Sequence, residues 1–126
     1  MVDSEIPDDV LHFIELHIQT VPHMEALLML QESCPRQWTA AEMASRIYID
    51  SKKAARILND LTRSQIIAQC TSGVYVYLPD NPHGELMTKV TQTYRRQLIE
   101  VARFIHSRGS PALQDFSRAF KFKGND

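Results

Sequence analysis

The stretch TAAEMASRIYIDSKKAARILNDL, residues 39–61, holds two helix starts and four basic side chains, and its reading decides the fold. Thr39 is followed three places later by Glu42, the spacing of a capping box. The hydroxyl accepts the N3 amide while the carboxylate accepts the N-cap amide. A helix therefore starts near Ala40 and buries Met43, Ala44 and Ile47. After Tyr48-Ile49, Asp50 suits the N-cap of a second helix, in which Ala54, Ile57, Leu58 and Leu61 recur every three or four residues on one side. So short a connection makes the two helices cross steeply instead of lying side by side.

Upstream, Val10, Leu11, Phe13, Ile14, Leu16 and Ile18 suit a short helix with Pro7 in its first turn, broken at Thr20-Val21-Pro22. A further helix runs from about Pro22 to Ser33, with Met24, Leu27, Leu28 and Leu30 inward, until Cys34-Pro35 stops it. Downstream the period changes from helical to alternating. Ile66 to Thr71 and Val74 to Leu78 flank the turn Ser72-Gly73 and predict a β-hairpin. Asp80 or Asn81 as cap and Pro82 as N1 then open a long helix to about Ser107, roughly 36 Å at 1.5 Å per residue. Its apolar stripe is Met87, Val90, Tyr94, Leu98, Val101 and Ile105, and Arg108-Gly109 closes it. A last short helix carries Leu113, Phe116 and Phe120; Phe116, Phe120 and Phe122 are expected to form a docking strip, and the tail KFKGND frays. The expectation is one mainly α domain over 1–126 with a small β-hairpin. It divides into an N-terminal helix (1–20), a core (22–79), a long helix (80–108) and a short helix with tail (110–126).

Composition narrows the function. An apolar fraction of 44% with 23% charged residues is ordinary for a globular chain, which excludes disordered and fibrous classes. The longest apolar run, Ala26 to Leu30, is far short of a membrane span, and the acidic start MVDSEIPDDV is unlike a secretory signal, so a cytoplasmic protein without membrane contact is expected. The net charge of −1 conceals segregation: residues 1–38 carry −6, residues 39–72 carry +2 and residues 73–126 carry +3. That leaves room for one positive face, and for packing of the acidic N-terminal segment against Arg95, Arg96, Arg103 and Arg108. Cys34 and Cys70 lack zinc or disulfide spacing and read as reduced thiols. His12, His17, His23, His83 and His106 form no ligand set, so no metal and no cofactor is expected. No phosphate-binding loop, GxSxG or HExxH is present, and no enzyme activity is expected. Trp38, Tyr75 and Tyr77 suit either aromatic packing or the lining of a ligand pocket.

The order helix, helix, crossed helix, hairpin is that of a winged helix-turn-helix. The stretch WTAAEMASRIYIDSKKAARILNDLTRSQII, residues 38–67, resembles the core of bacterial transcription regulators, and the helices before and after it resemble the MarR-like group. The resemblance covers about residues 22–79 and implies that the helix from Asp50 to Ser64 enters the major groove of duplex DNA. Ser51, Lys52, Lys53, Arg56 and Asn59 would then face the DNA: Arg bridging guanine acceptors, Asn pairing adenine, lysines neutralising phosphates. It also implies a homodimer, for which Phe13, Leu16, Met87, Val90, Tyr94, Leu98, Val101 and Ile105 are the expected interface. Two departures stand out. Tyr48 and Gln65 occupy turn positions where such sequences often have glycine, and the wing tip CTSG has no Arg or Lys. Winged helices also serve as protein-binding modules without DNA, which is the alternative function; an effector-sensing regulator using Cys34 or Cys70 is a third.

Overall fold

The computed structural model describes residues 6–109, so the expected final helix with Leu113, Phe116 and Phe120 lies outside the described residues. Along them run α1 (Asp8–His17), α2 (Val21–Ser33), β1 (Trp38–Thr39), α3 (Ala40–Ile47), α4 (Ser51–Arg63), β2 (Ile67–Thr71), β3 (Val74–Tyr77), α5 (Leu86–Arg96) and α6 (Leu98–Gly109).

Local chemistry sets these ends. Thr20 caps α2, and Pro22 lies in its first turn, where its missing N–H is harmless. At α3 both arms of the capping box are made: the Glu42 amide donates to Thr39 Oγ1 at 3.1 Å and the Thr39 amide to Glu42 Oε1 at 3.0 Å. Asp50 Oδ1 accepts from the Lys53 amide at 2.8 Å and starts α4. Both helices end on a left-handed residue. Tyr48 has φ +63° and lets the Ile49 amide reach the Ala44 carbonyl at 3.1 Å; Gln65 has φ +65° and lets the Ile66 amide reach the Leu61 carbonyl at 3.2 Å. Neither is glycine, so each accepts crowding of Cβ against a carbonyl worth about 1–2 kcal/mol.

The sheet has one strand more than expected. β2 and β3 form the hairpin across Ser72-Gly73, with Gly73 at φ +79° and a register shift between Gln69 and Thr71. In addition β1 pairs antiparallel with β3, Trp38 opposite Tyr75 and Thr39 opposite Val74, giving the order β1-β3-β2. The reason is the cap itself. An N-cap residue is extended, so the backbone leading into α3 is already shaped to pair with the open edge of β3.

The expected long helix is corrected twice. It begins at Leu86, not Pro82, because Asn81 Oδ1 accepts from the His83 amide at 2.9 Å and Gly84, at φ +59°, turns the chain out of the helical path. It also breaks at Gln97, where φ −127° and ψ 50° separate α5 from α6. The break turns Leu98 outward while Val101 and Ile105 swing into the core with Met87, Val90 and Tyr94. One core unites these with Val10, Phe13 and Ile14 of α1, Met24, Leu27 and Leu30 of α2, and the inner sides of α3 and α4. The chain is mainly helical with a small antiparallel sheet, a winged helix-turn-helix framed by terminal helices.

Candidate nucleic-acid interface

On α4, Ala54, Ile57, Leu58 and Leu61 are buried while Ser51, Lys52, Lys53, Arg56 and Asn59 are exposed. This helix strongly separates apolar from polar sides, so its orientation follows from burial alone. The two acids that could spoil a cationic face are both engaged. Asp50 accepts from the Lys53 amide of its own first turn, and Asp60 is turned under the helix, paired with His23 and with Arg63. Among the described residues, Lys52, Lys53 and Arg56 enter no salt bridge.

Three histidines, on α1, on α2 and in the loop before α5, hold the far end of α4. His23 of α2, only 6% exposed, faces Asp60 Oδ2 through Nε2 at 2.8 Å and Thr20 Oγ1 through Nδ1 at 2.6 Å. A carboxylate only accepts, so Nε2–H donates to Asp60 and the bare Nδ1 of the neutral ring accepts from the Thr20 hydroxyl. Burial lowers the His23 pKa below the ordinary 6.5 and outweighs the opposing bond and charge of Asp60; Lys53 lowers it slightly further. His17 Nδ1 meets Ser64 Oγ at 2.9 Å, and His83 Nε2–H donates to the Ser64 carbonyl at 2.8 Å. The His17 and His83 rings pack edge-on at 4.9 Å, each also against Phe13. Burial, then the neighbouring His83 and His12, push the His17 pKa down. Hydroxyl, imidazole and carboxylate in Thr20, His23 and Asp60 follow the order of a nucleophile relay. Here, however, the hydroxyl also caps α2 by accepting the His23 amide at 3.3 Å, and the ring lies beneath α4, out of a substrate's reach.

The wing is tied to α4 by one polar chain. Gln69 Nε2 donates to the Tyr75 hydroxyl at 3.1 Å, and that hydroxyl donates to Asn59 Oδ1 at 3.0 Å. Asn59 thus has its carbonyl engaged within the protein while remaining exposed. The hairpin tip, Cys70 to Gly73, is exposed and uncharged. Trp38 and both wing tyrosines are buried in packing, and the Trp38 edge also borders an open surface pocket with Arg36, Glu42, Ser45 and Arg46: Trp38 Nε1 donates to Ser33 Oγ at 2.9 Å, and Arg36 covers the indole face at 3.8 Å.

Of the residues expected at a dimer interface, Phe13, Met87, Val90, Tyr94, Val101 and Ile105 lie in the chain's own core, which is a correction: the stripe is consumed by packing on α1 and α2. Leu16 (60% exposed) and Leu98 (48%) remain at the surface, joined by Ile99 (63%), which the stripe did not include. The segregated charge is likewise used within one chain. Lys89 Nζ pairs with Asp9 at 2.9 Å, Arg95 with Glu32, and the Tyr94 hydroxyl donates to Glu25. Among the described residues no three His, Cys, Asp or Glu side chains converge as a metal site requires, and no helix is long and apolar enough to cross a membrane.

The sequence pattern pointed to α4 but not to its supports. Tyr75, Gln69, His17, His23 and His83 lie outside α4, and only Ser64, its C-cap, is local to it. The one local signal was Asp60, three residues after the buried Ile57 and so at the rim of the apolar stripe.

No family model matches the sequence, and no curated protein matches it. Among solved structures, a MarR family protein of Mycobacterium tuberculosis, Rv2887, is similar in fold: the TM-score is 0.51 at 17% identity, covering 98% of this chain and 88% of that one.

Proposed function

We propose that the protein is a cytoplasmic transcription regulator that binds duplex DNA as a homodimer, inserting α4 into the major groove. The observation that carries this reading is the sorting of charge on α4. Lys52, Lys53 and Arg56 face outward unpaired among the described residues, and both acids are bound elsewhere. The Ser51 hydroxyl suits a phosphate, Arg56 suits guanine acceptors, and the lysines supply backbone attraction. Asn59 takes a different part: with Oδ1 engaged by Tyr75, it holds the wing against α4 and presents its amide N–H groups outward. The fold shared with a MarR family protein supports the same reading. In the dimer, Leu16, Leu98 and Ile99 are covered by the second copy, and paired recognition helices would sit about 34 Å apart, one turn of DNA.

The test is an anisotropy titration of a fluorescein-labelled random-sequence duplex across a range of salt. Log K should fall linearly with log salt, and Lys53→Glu and Arg56→Glu should each weaken binding and reduce that slope by about one. Identical binding by all three proteins, or none by the wild type at low salt, removes the DNA reading.

A further inference from the structure

Asn59 is held from behind by two residues of the wing. Tyr75 stands in the middle strand, opposite Trp38 of β1 and Gln69 of β2, and is only 5% exposed. Its hydroxyl has one proton, which it gives to Asn59 Oδ1 at 3.0 Å while accepting from Gln69 Nε2 at 3.1 Å. A buried ring cannot follow a moving partner, so the Asn59 carboxamide is fixed with its oxygen toward the wing and its Nδ2 away from it. Among the described residues Nδ2 has no partner. Asn59 is exposed and lies three residues past Arg56 and seven past Lys52, on the same flank of the helix.

We infer that Tyr75 and Gln69 are positioning residues that set the base preference of Asn59, making it a donor to guanine N7 and O6 instead of a partner for adenine; this rests on the DNA reading above. In the major groove adenine offers one acceptor, N7, and one donor, the N6 amine, so asparagine matches it only with oxygen and nitrogen on one open edge. Here an adenine amine could reach Oδ1 only by displacing the phenol. Guanine offers two adjacent acceptors, which the two hydrogens of Nδ2 can meet. The single hydroxyl proton gives the relay a direction. What residue 69 presents to Tyr75 decides what Asn59 presents to a base.

The test is selection from a pool of random-sequence duplexes, sequenced before and after binding to the wild type and to three variants at neutral pH. Asn59→Ala identifies the base pair that Asn59 meets, as the position whose preference disappears. There the wild type should favour guanine over adenine about fivefold. Gln69→Glu replaces a donor with a group that only accepts. The Tyr75 proton then turns to the new carboxylate, Asn59 turns over to donate inward, and its outward oxygen should favour cytosine, whose N4 carries hydrogens. Tyr75→Phe removes the relay and frees both ends of Asn59, which should move the same position to adenine. The other positions should keep their preferences, a pattern that mere loss of stability does not produce. Gln69 is exposed on its strand, so Gln69→Glu carries the test even where Tyr75→Phe fails to fold. A wild-type preference other than guanine at that position, or guanine retained by Gln69→Glu, overturns the inference and leaves the DNA reading standing. So does Asn59→Ala without effect at any position. Absence of wild-type binding to the pool at low salt removes both.

Discussion

His23 and His17 are imidazoles beneath α4, whose polar ties also include the Tyr75–Asn59 and His83–Ser64 hydrogen bonds. Both pKa values are lowered in the fold, burial being the first cause in each, so folding favours the uncharged ring. The sign follows from linkage: their contribution is complete above the ordinary imidazole value of 6.5 and is lost as pH falls through the depressed folded values. Melting temperature should therefore be level near neutrality and decline as pH falls below the ordinary imidazole value of 6.5. The double variant His17→Gln, His23→Gln should melt lower at neutral pH yet show little of that decline; a decline as steep as the wild type's would assign it to other groups. Asp9 acts in a separate window. Lys89 lowers its pKa, so its contribution is present above 3.8 and lost only under stronger acid. The cationic face of α4 was legible in the sequence because apolar residues recur at helical spacing and leave the others outside. The histidine supports were not. His17 and Ser64 are 47 positions apart, and no local pattern announces that they meet.

At the scale of elements, the chain wrote its helix starts plainly and its breaks poorly. Thr39 with Glu42, and Asp50 alone, are short side chains next to amides that lack helical partners, and such chemistry depends only on neighbours in sequence. Thr39→Ala should lower stability by about 1 kcal/mol in urea denaturation, with an unchanged m-value, because the Glu42 amide at the exposed start of α3 loses its acceptor. A loss of less than a few tenths would mean that the β1 pairing, not the cap, fixes that end. By contrast Gln97 is a good helix former, and nothing in RRQLIE forecasts a break. Tertiary packing decides it: α5 packs on α1 while α6 reaches back to both α1 and α2, which a straight rod could not do. The start of the same segment was misplaced because Pro82 suits a first turn as well as a loop. Asn81 and Gly84 tip the balance through a side-chain bond and a left-handed φ.

For the whole molecule, the question is which apolar surface is left over. The stripe expected to face a second copy is already inside, and Leu16, Leu98 and Ile99 remain, two of them at the bend after Gln97. Ile99→Glu should convert a wild-type dimer into a monomer by light scattering after size exclusion. The exposed site should tolerate the charge within about 0.5 kcal/mol of monomer stability. An unchanged mass would place the contact elsewhere, and a monomeric wild type would dispose of the dimer altogether. The middle position of β3 has a consequence of its own. Because that strand is stitched by backbone bonds to the hairpin arm on one side and to the entry of α3 on the other, the wing cannot swing like a hinged flap. Wing and α3 must tilt together as one rigid tool, so, on the proposed DNA reading, an adjustment to the curvature of a double helix would have to come from rotating that whole unit against the terminal helices.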